Sequence, residues 1–187
     1  MENPYKRKKE PERVRQRILE VAIQLTADKG LSGVSLQAVA DLSGVTKGGL
    51  LHHFPNKPAL VRAAVNTVLE KLDQAIDEYM AQDPVAYGRF TRAFIHFTLQ
   101  HDKQGIGSLW TAVSMVMLTD QAFNIQWIEW LNGRLAVHAD TDSGMDLQLL
   151  RCAADGLWLT MITGVDNPDE IQRLELEMMR RTYLSAP

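Results

Sequence analysis

Apolar residues recur at spacings of three and four along most of this 187-residue chain, and no stretch sustains a two-residue alternation. A pattern of that period buries its apolar stripe by coiling into amphipathic helices, so the expected fold is all-α. Val14, Ile18, Val21, Ala22 and Leu25 mark a first helix that Pro11 can open and Gly30 can close. Two short helices follow the N-cap residues Ser35 and Thr46. A long one follows Asn56, with Pro58 in its first turn and Leu60, Ala64, Val68, Leu72 and Ile76 along one side. Further helices are expected at about 85–101, 106–119, 122–138, 144–164 and 168–184, separated by breakers such as Gly105-Ile106-Gly107 and Asp166-Asn167-Pro168.

Hydrophobic residues make up 45% of the chain and charged residues 23%, enough to build a core without disulfides or metals. No apolar run reaches the roughly 18 residues of a membrane span, and the charged N-terminus lacks the apolar stretch of an export signal. The single cysteine, Cys152, fits a reducing compartment, so a cytoplasmic location without membrane contact is expected. Net charge is −3 but unevenly spread: residues 1–58 hold ten Lys/Arg against six Asp/Glu, and the remainder ten against seventeen. A basic end on an acidic body draws a polyanion to one face.

Residues 35–57, SLQAVADLSGVTKGGLLHHFPNK, carry the most specific chemistry. A helix-turn-helix needs two short helices crossing over a tight turn. Ala40 supplies the small side chain at the crossing, Gly44 permits the turn, and Val45 and Leu50 anchor the second helix. Thr46, Lys47, Gly48, Gly49 and His52 are left facing outward on a helix about two turns long, a size that fits the major groove of double-stranded DNA.

With the upstream RILEVAIQLTADKGLSGVSLQAVAD and the downstream FPNKPAL, this segment resembles the N-terminal domain of the TetR (tetracycline repressor) family over about residues 13–65. The resemblance implies a helix-turn-helix DNA-binding domain over 1–56, with a basic arm at 1–10 (Lys6-Arg7-Lys8-Lys9) that can track phosphates. It also implies a helical effector-binding and dimerisation domain over 57–187. The whole would be a homodimeric regulator, most simply a repressor, on a palindromic operator, released by a small-molecule effector. Ser35, Thr46, Lys47, Gly48, Gly49, His52 and Lys57 are the DNA-contact candidates, Lys57 pairing its charge with a helix N-terminus to hold a phosphate. Gly49 and Leu51 depart from the family, standing where a base-reading side chain and a phosphate-binding tyrosine are common.

In the C-terminal body the candidates for an effector pocket are Trp110, Trp127 and Trp158, then Phe97 and Met161, although such stripes also build plain core. Glu129 or Asp155 among aromatic rings would suit a lipophilic cation; alternatively both face solvent or pair with arginines such as Arg151. Leu147, Leu150, Ala154, Leu157 and Met161, followed by Ile171, Leu174, Met178 and Tyr183, form stripes suited to a four-helix dimer contact. Cys152, between apolar neighbours, reads as a buried thiol. His96, His101 and His138 lack ligand spacing, and no nucleophile–base pair or phosphate loop appears, so no metal, cofactor or catalysis is expected. The other reading keeps DNA binding but drops the small molecule, with control by a protein partner or by abundance.

Overall fold

The computed structural model describes residues 4–100, 109–164 and 167–183. It is all-α, with ten helices and no strand among the described residues: α1 (Pro4–Gly33), α2 (Leu36–Ser43), α3 (Lys47–His53), α4 (Lys57–Ala81), α5 (Arg89–Gln100), α6 (Leu109–Thr119), α7 (Gln121–Val137), α8 (Ala139–Asp142), α9 (Met145–Thr163) and α10 (Pro168–Arg181). Pro11 lies inside α1, not at its start, so the basic arm from Pro4 onward continues the helix. Gly30, at φ 66 and ψ 178, breaks α1 where the sequence places its end, and one further turn follows.

Local chemistry sets the next three boundaries. Ser35 Oγ accepts from Ala38 N at 3.1 Å, Thr46 Oγ1 from Gly49 N at 3.0 Å and Asn56 Oδ1 from Ala59 N at 2.8 Å, each satisfying an orphan amide of a first turn. Gly44 closes α2 at φ 70 and ψ 30, with Val45 N donating back to Ala40 O at 3.0 Å.

Two buried clusters fill the molecule. The first joins Ile18, Leu19 and Ala22 of α1 to Val39, Ala40, Leu50, Phe54, Leu60 and Val65. It runs across residue 56 without a seam and takes in Val116 and Met117 of α6 and Phe123 of α7. The second joins Leu72, Ile76 and Met80 of α4 to Phe90, Phe94 and Leu99 of α5 and to Leu147, Leu150, Ala154 and Trp158 of α9.

Polar groups pin this second body. Asp142, at the end of α8, accepts from Thr91 N at 2.8 Å and Thr91 Oγ1 at 2.7 Å, capping α5 from 51 residues away. Arg151 Nη1 donates to Thr91 Oγ1 at 2.6 Å and to Asp142 O at 3.1 Å. Arg92, fully buried, meets Asp83 at 2.5 Å, donates to Val85 O and Tyr87 O, reaches Thr182 O at 3.3 Å and lies 4.2 Å from the Tyr183 ring. The backbone passes so closely that a Cβ on Gly88, at φ 71, would sit 2.6 Å from Thr182 O.

The α9 stripe points inward. Leu147, Leu150 and Ala154 are buried in the chain's own core, as are Ile171 and Met178 of α10. Leu149 and Ala153 of α9 and Leu174 of α10 are left exposed. Cys152 is exposed too, contrary to the expected buried thiol, because it stands off the buried stripe by one residue.

Candidate functional site

The helix-turn-helix presents its outward face as a short, nearly bare ledge. Leu50 is fully buried beneath it, and Ser35, Thr46, Lys47, Gly48, Gly49 and His52 are exposed. A Cβ on Gly49 would come within 3.3 Å of Thr46 Oγ1, the oxygen that caps α3, whereas Gly48 faces open space. Glycine at 49 therefore protects the cap. Lys57 is placed differently from the rest of the set: its Nζ donates to Leu31 O at 2.8 Å, satisfying a carbonyl just past the Gly30 break. Of the basic arm, residues 1–3 and the side chains up to Lys9 lie outside the described residues.

The C-terminal body holds a cavity of about 340 Å³. Its walls come from α5 (Thr98), α6 (Ser114, Met117, Leu118), α7 (Asn124, Trp127) and α9 (Asp155, Gly156, Trp158, Leu159). Trp127 and Trp158, two of the pocket candidates, both line it. Phe97 and Met161 pack against the second core cluster and do not line it. The Trp110 side chain lies outside the described residues. Trp158 is buried and its Nε1 has no acceptor among the described residues. Asp155 opens into the cavity, where water still reaches it. Desolvation by the surrounding protein pushes its carboxyl up to about 6 against the opposing pull of Arg151. Glu129 is exposed elsewhere on α7. Helical periodicity could have nominated Ser114, Met117 and Leu118, but not the side of α6 that they share with a void.

The cavity wall is fastened to the helix-turn-helix core and to α4 in two ways. Met117 lines the cavity and is also buried in the cluster with Ile18, Leu19 and Leu50. Trp127 stacks on Trp130 with ring centroids 4.8 Å apart, and Trp130 Nε1 donates to Asp73 Oδ1 of α4 at 2.9 Å. Gln126 bonds Asn66, and Arg134 meets Asp77 at 2.6 Å, so α7 runs parallel to α4 along a polar ladder. Among the described residues no group of three His, Cys, Asp or Glu could hold a metal ion, and no helix is long and apolar enough to cross a membrane. His101 lies outside them.

Residues 18–64 match the family model described as bacterial regulatory proteins of the tetR family, and residues 88–182 match that of the tetracyclin repressor-like C-terminal domain. The chain belongs to the TetR family. Its helix-turn-helix half and its helical C-terminal body are those of that family of bacterial regulatory proteins. The chain is 34% identical to the transcriptional regulator AcrR of Shigella flexneri over 79 residues, 42% of this chain and 37% of that one. Little more than a third of such curated relatives' length is therefore covered. The repressor AcnR of Corynebacterium efficiens is 24% identical over 183 residues, 94% of this TetR-family chain and 82% of its own. Among solved structures, the fold is shared with the regulator SCO7518 of Streptomyces coelicolor A3(2) at TM-score 0.72 and 20% identity, covering 92% and 99% of the two chains. It is also shared with the multidrug-binding protein EbrR in complex with malachite green, at TM-score 0.70 and 22% identity over 91% and 98%.

Proposed function

We propose that the chain is a homodimeric repressor that holds a palindromic operator with two α3 helices and is released by a small molecule entering the cavity between α5, α6, α7 and α9. The observation that carries this reading is the double membership of Met117, at once cavity wall and core of the DNA-binding bundle. A ligand that shifts α6 must repack α1 beneath the helix-turn-helix, because close-packed interiors move between discrete arrangements. The α7–α4 ladder offers a second route through Trp127, Trp130 and Asp73. Coupling of about 1–3 kcal/mol changes operator affinity roughly 5- to 150-fold.

Thr46, Lys47, Gly48 and His52 make the DNA face, with Ser35 at its edge; Lys57 serves it by fixing the end of α1. One such helix reads too few base pairs, so two copies are needed. Leu149, Ala153 and Leu174 supply the self-complementary surface, since the buried stripe of α9 is already occupied by its own chain. EbrR, which shares the fold, has been seen with malachite green and with ethidium, which supports a ligand role for the cavity here. The test is selection of duplexes from a random pool by the intact protein, then challenge of the bound complex with a compound panel. An inverted repeat, and a compound that both raises Tm and releases DNA, is the expected result. A selected site without dyad symmetry, or stabilising compounds that leave DNA bound, would overturn it.

A further inference from the structure

We propose that Leu51 sets part of the operator sequence by packing on the C5-methyl of a thymine in the major groove, beside the notch that Gly48 leaves bare. This rests on the reading of α3 as the operator helix and names one base feature that it selects.

Leu50, fully buried, fixes which way α3 faces. An α-helix turns about 100° per residue, so Gly48 and His52 point away from the core, with Leu51 on one flank and Gly49 on the other. Lys47, Gly48, Gly49, Leu51 and His52 are exposed, and Leu51 is the apolar side chain among them, 37% exposed. Long side chains on a helix lean toward the preceding turn, which brings Leu51 over Lys47 and Gly48. A Cβ at Gly48 would meet nothing within 4 Å, so the space beside the leucine is open. Glycine at 49 is accounted for within the chain, because a Cβ there would come within 3.3 Å of the capping oxygen of Thr46. Gly48 meets no such obstacle, and its bareness serves whatever approaches from outside.

In a major groove that flank discriminates between contacts. A phosphate asks for a hydrogen-bond donor, which leucine lacks. The edges of guanine, adenine and cytosine carry donors and acceptors, and a leucine laid on them would strip their water and return no bond. Thymine adds a methyl group, the apolar feature of the groove edge. Lys47, one turn earlier on the same flank, brings the charge that seats the helix against the duplex.

The test uses the intact protein and the duplex it selects from a random pool. Each thymine of a half-site is replaced in turn by uracil, which keeps the base pair and deletes the methyl. At one thymine per half-site the replacement should cost about fourfold, and about fifteenfold when made in both half-sites, the worth of burying one methyl each time. Leu51→Ala should bind the thymine and uracil duplexes equally, and Leu51→Met, which keeps an apolar side chain, should still prefer thymine. The preference is a ratio within one variant, so a general loss of stability does not imitate its disappearance. Retention of the preference by Leu51→Ala, or half-sites in which no thymine responds to uracil, would overturn the methyl contact and leave operator binding by α3 standing. A pool that yields no site would overturn the operator reading and the proposal with it.

Discussion

The indole N–H of Trp130 donates to Asp73 Oδ1 at 2.9 Å, and through that bond a helix that walls the cavity holds the helix that leads out of the DNA-binding bundle. Trp130→Phe keeps the stacking on Trp127 and deletes the bond. Asp73 retains Arg134 at 3.6 Å, so the loss of stability should stay near 1 kcal/mol, about the net worth of one hydrogen bond. DNA binding and ligand binding should survive, while the ligand-induced loss of operator affinity shrinks severalfold. Ligand titrations of the protein–DNA complex check this, and an unchanged release would remove α7 from the route.

Lys47 and Lys57 should separate in kind. Lys47→Ala should weaken operator binding and reduce the slope of log affinity against log salt by about 1, with Tm unchanged. Lys57→Met should instead lower stability by about 1 kcal/mol through the lost bond to Leu31 O. A full unit of salt slope lost in Lys57→Met would show that the side chain leaves that carbonyl for a phosphate.

Gly88→Ala forces an L side chain into φ 71 and drives its Cβ toward Thr182 O. The expected cost is about 2 kcal/mol or more, read as a fall in Tm. An unaltered Tm would mean that the junction of α5 with α10 yields more readily than its packing implies.

His138 stacks on Phe90 at 5.2 Å, with its Nε2 buried and without a partner among the described residues. Desolvation lowers its pKa, the nearby Arg134 and Arg89 charges push the same way, and Asp142 and Asp77 oppose them. The neutral ring is thus favoured in the folded state. Its contribution is fully present above the unfolded value near 6.5 and is lost as pH falls through the lower folded value. His138→Phe should flatten the decline of Tm between neutral and mildly acidic pH. An equally steep decline would place the acid lability elsewhere.

A charge on the exposed α9 face tests the dimer. Ala153→Glu should leave helix content intact, yield a monomer by sedimentation and lower operator affinity by at least about a hundredfold, since one half-site is lost. In the wild type, Cys152 should react more slowly with thiol reagents as concentration rises and the face is covered. A dimer that tolerates Ala153→Glu would move the interface off α9.

How much of this was legible in the sequence follows from the range of each interaction. Ser35, Thr46, Asn56 and Gly44 act within five residues of themselves, and so their helix boundaries could be read directly. Asp142 caps α5 across 51 residues, and Lys57 reaches back 26 to Leu31, so neither role had a local signature. Periodicity found the stripe Leu147, Leu150, Ala154 but not its partner, which proved to be the chain's own core. For the same reason Trp127 and Trp158 line the cavity while Phe97 and Met161 pack into the core cluster, and Asp155 rather than Glu129 borders it.

The decisive measurement is binding of the purified protein to a labelled duplex from the DNA flanking its own gene, titrated with salt and nonspecific competitor. An operator-specific dimer should bind with a Kd near 10⁻⁸–10⁻¹¹ M that survives competitor and weakens steeply with salt, on the order of other specific regulators. Affinity no better than for random duplex, with no site recovered from a random pool, would contradict operator recognition by this chain.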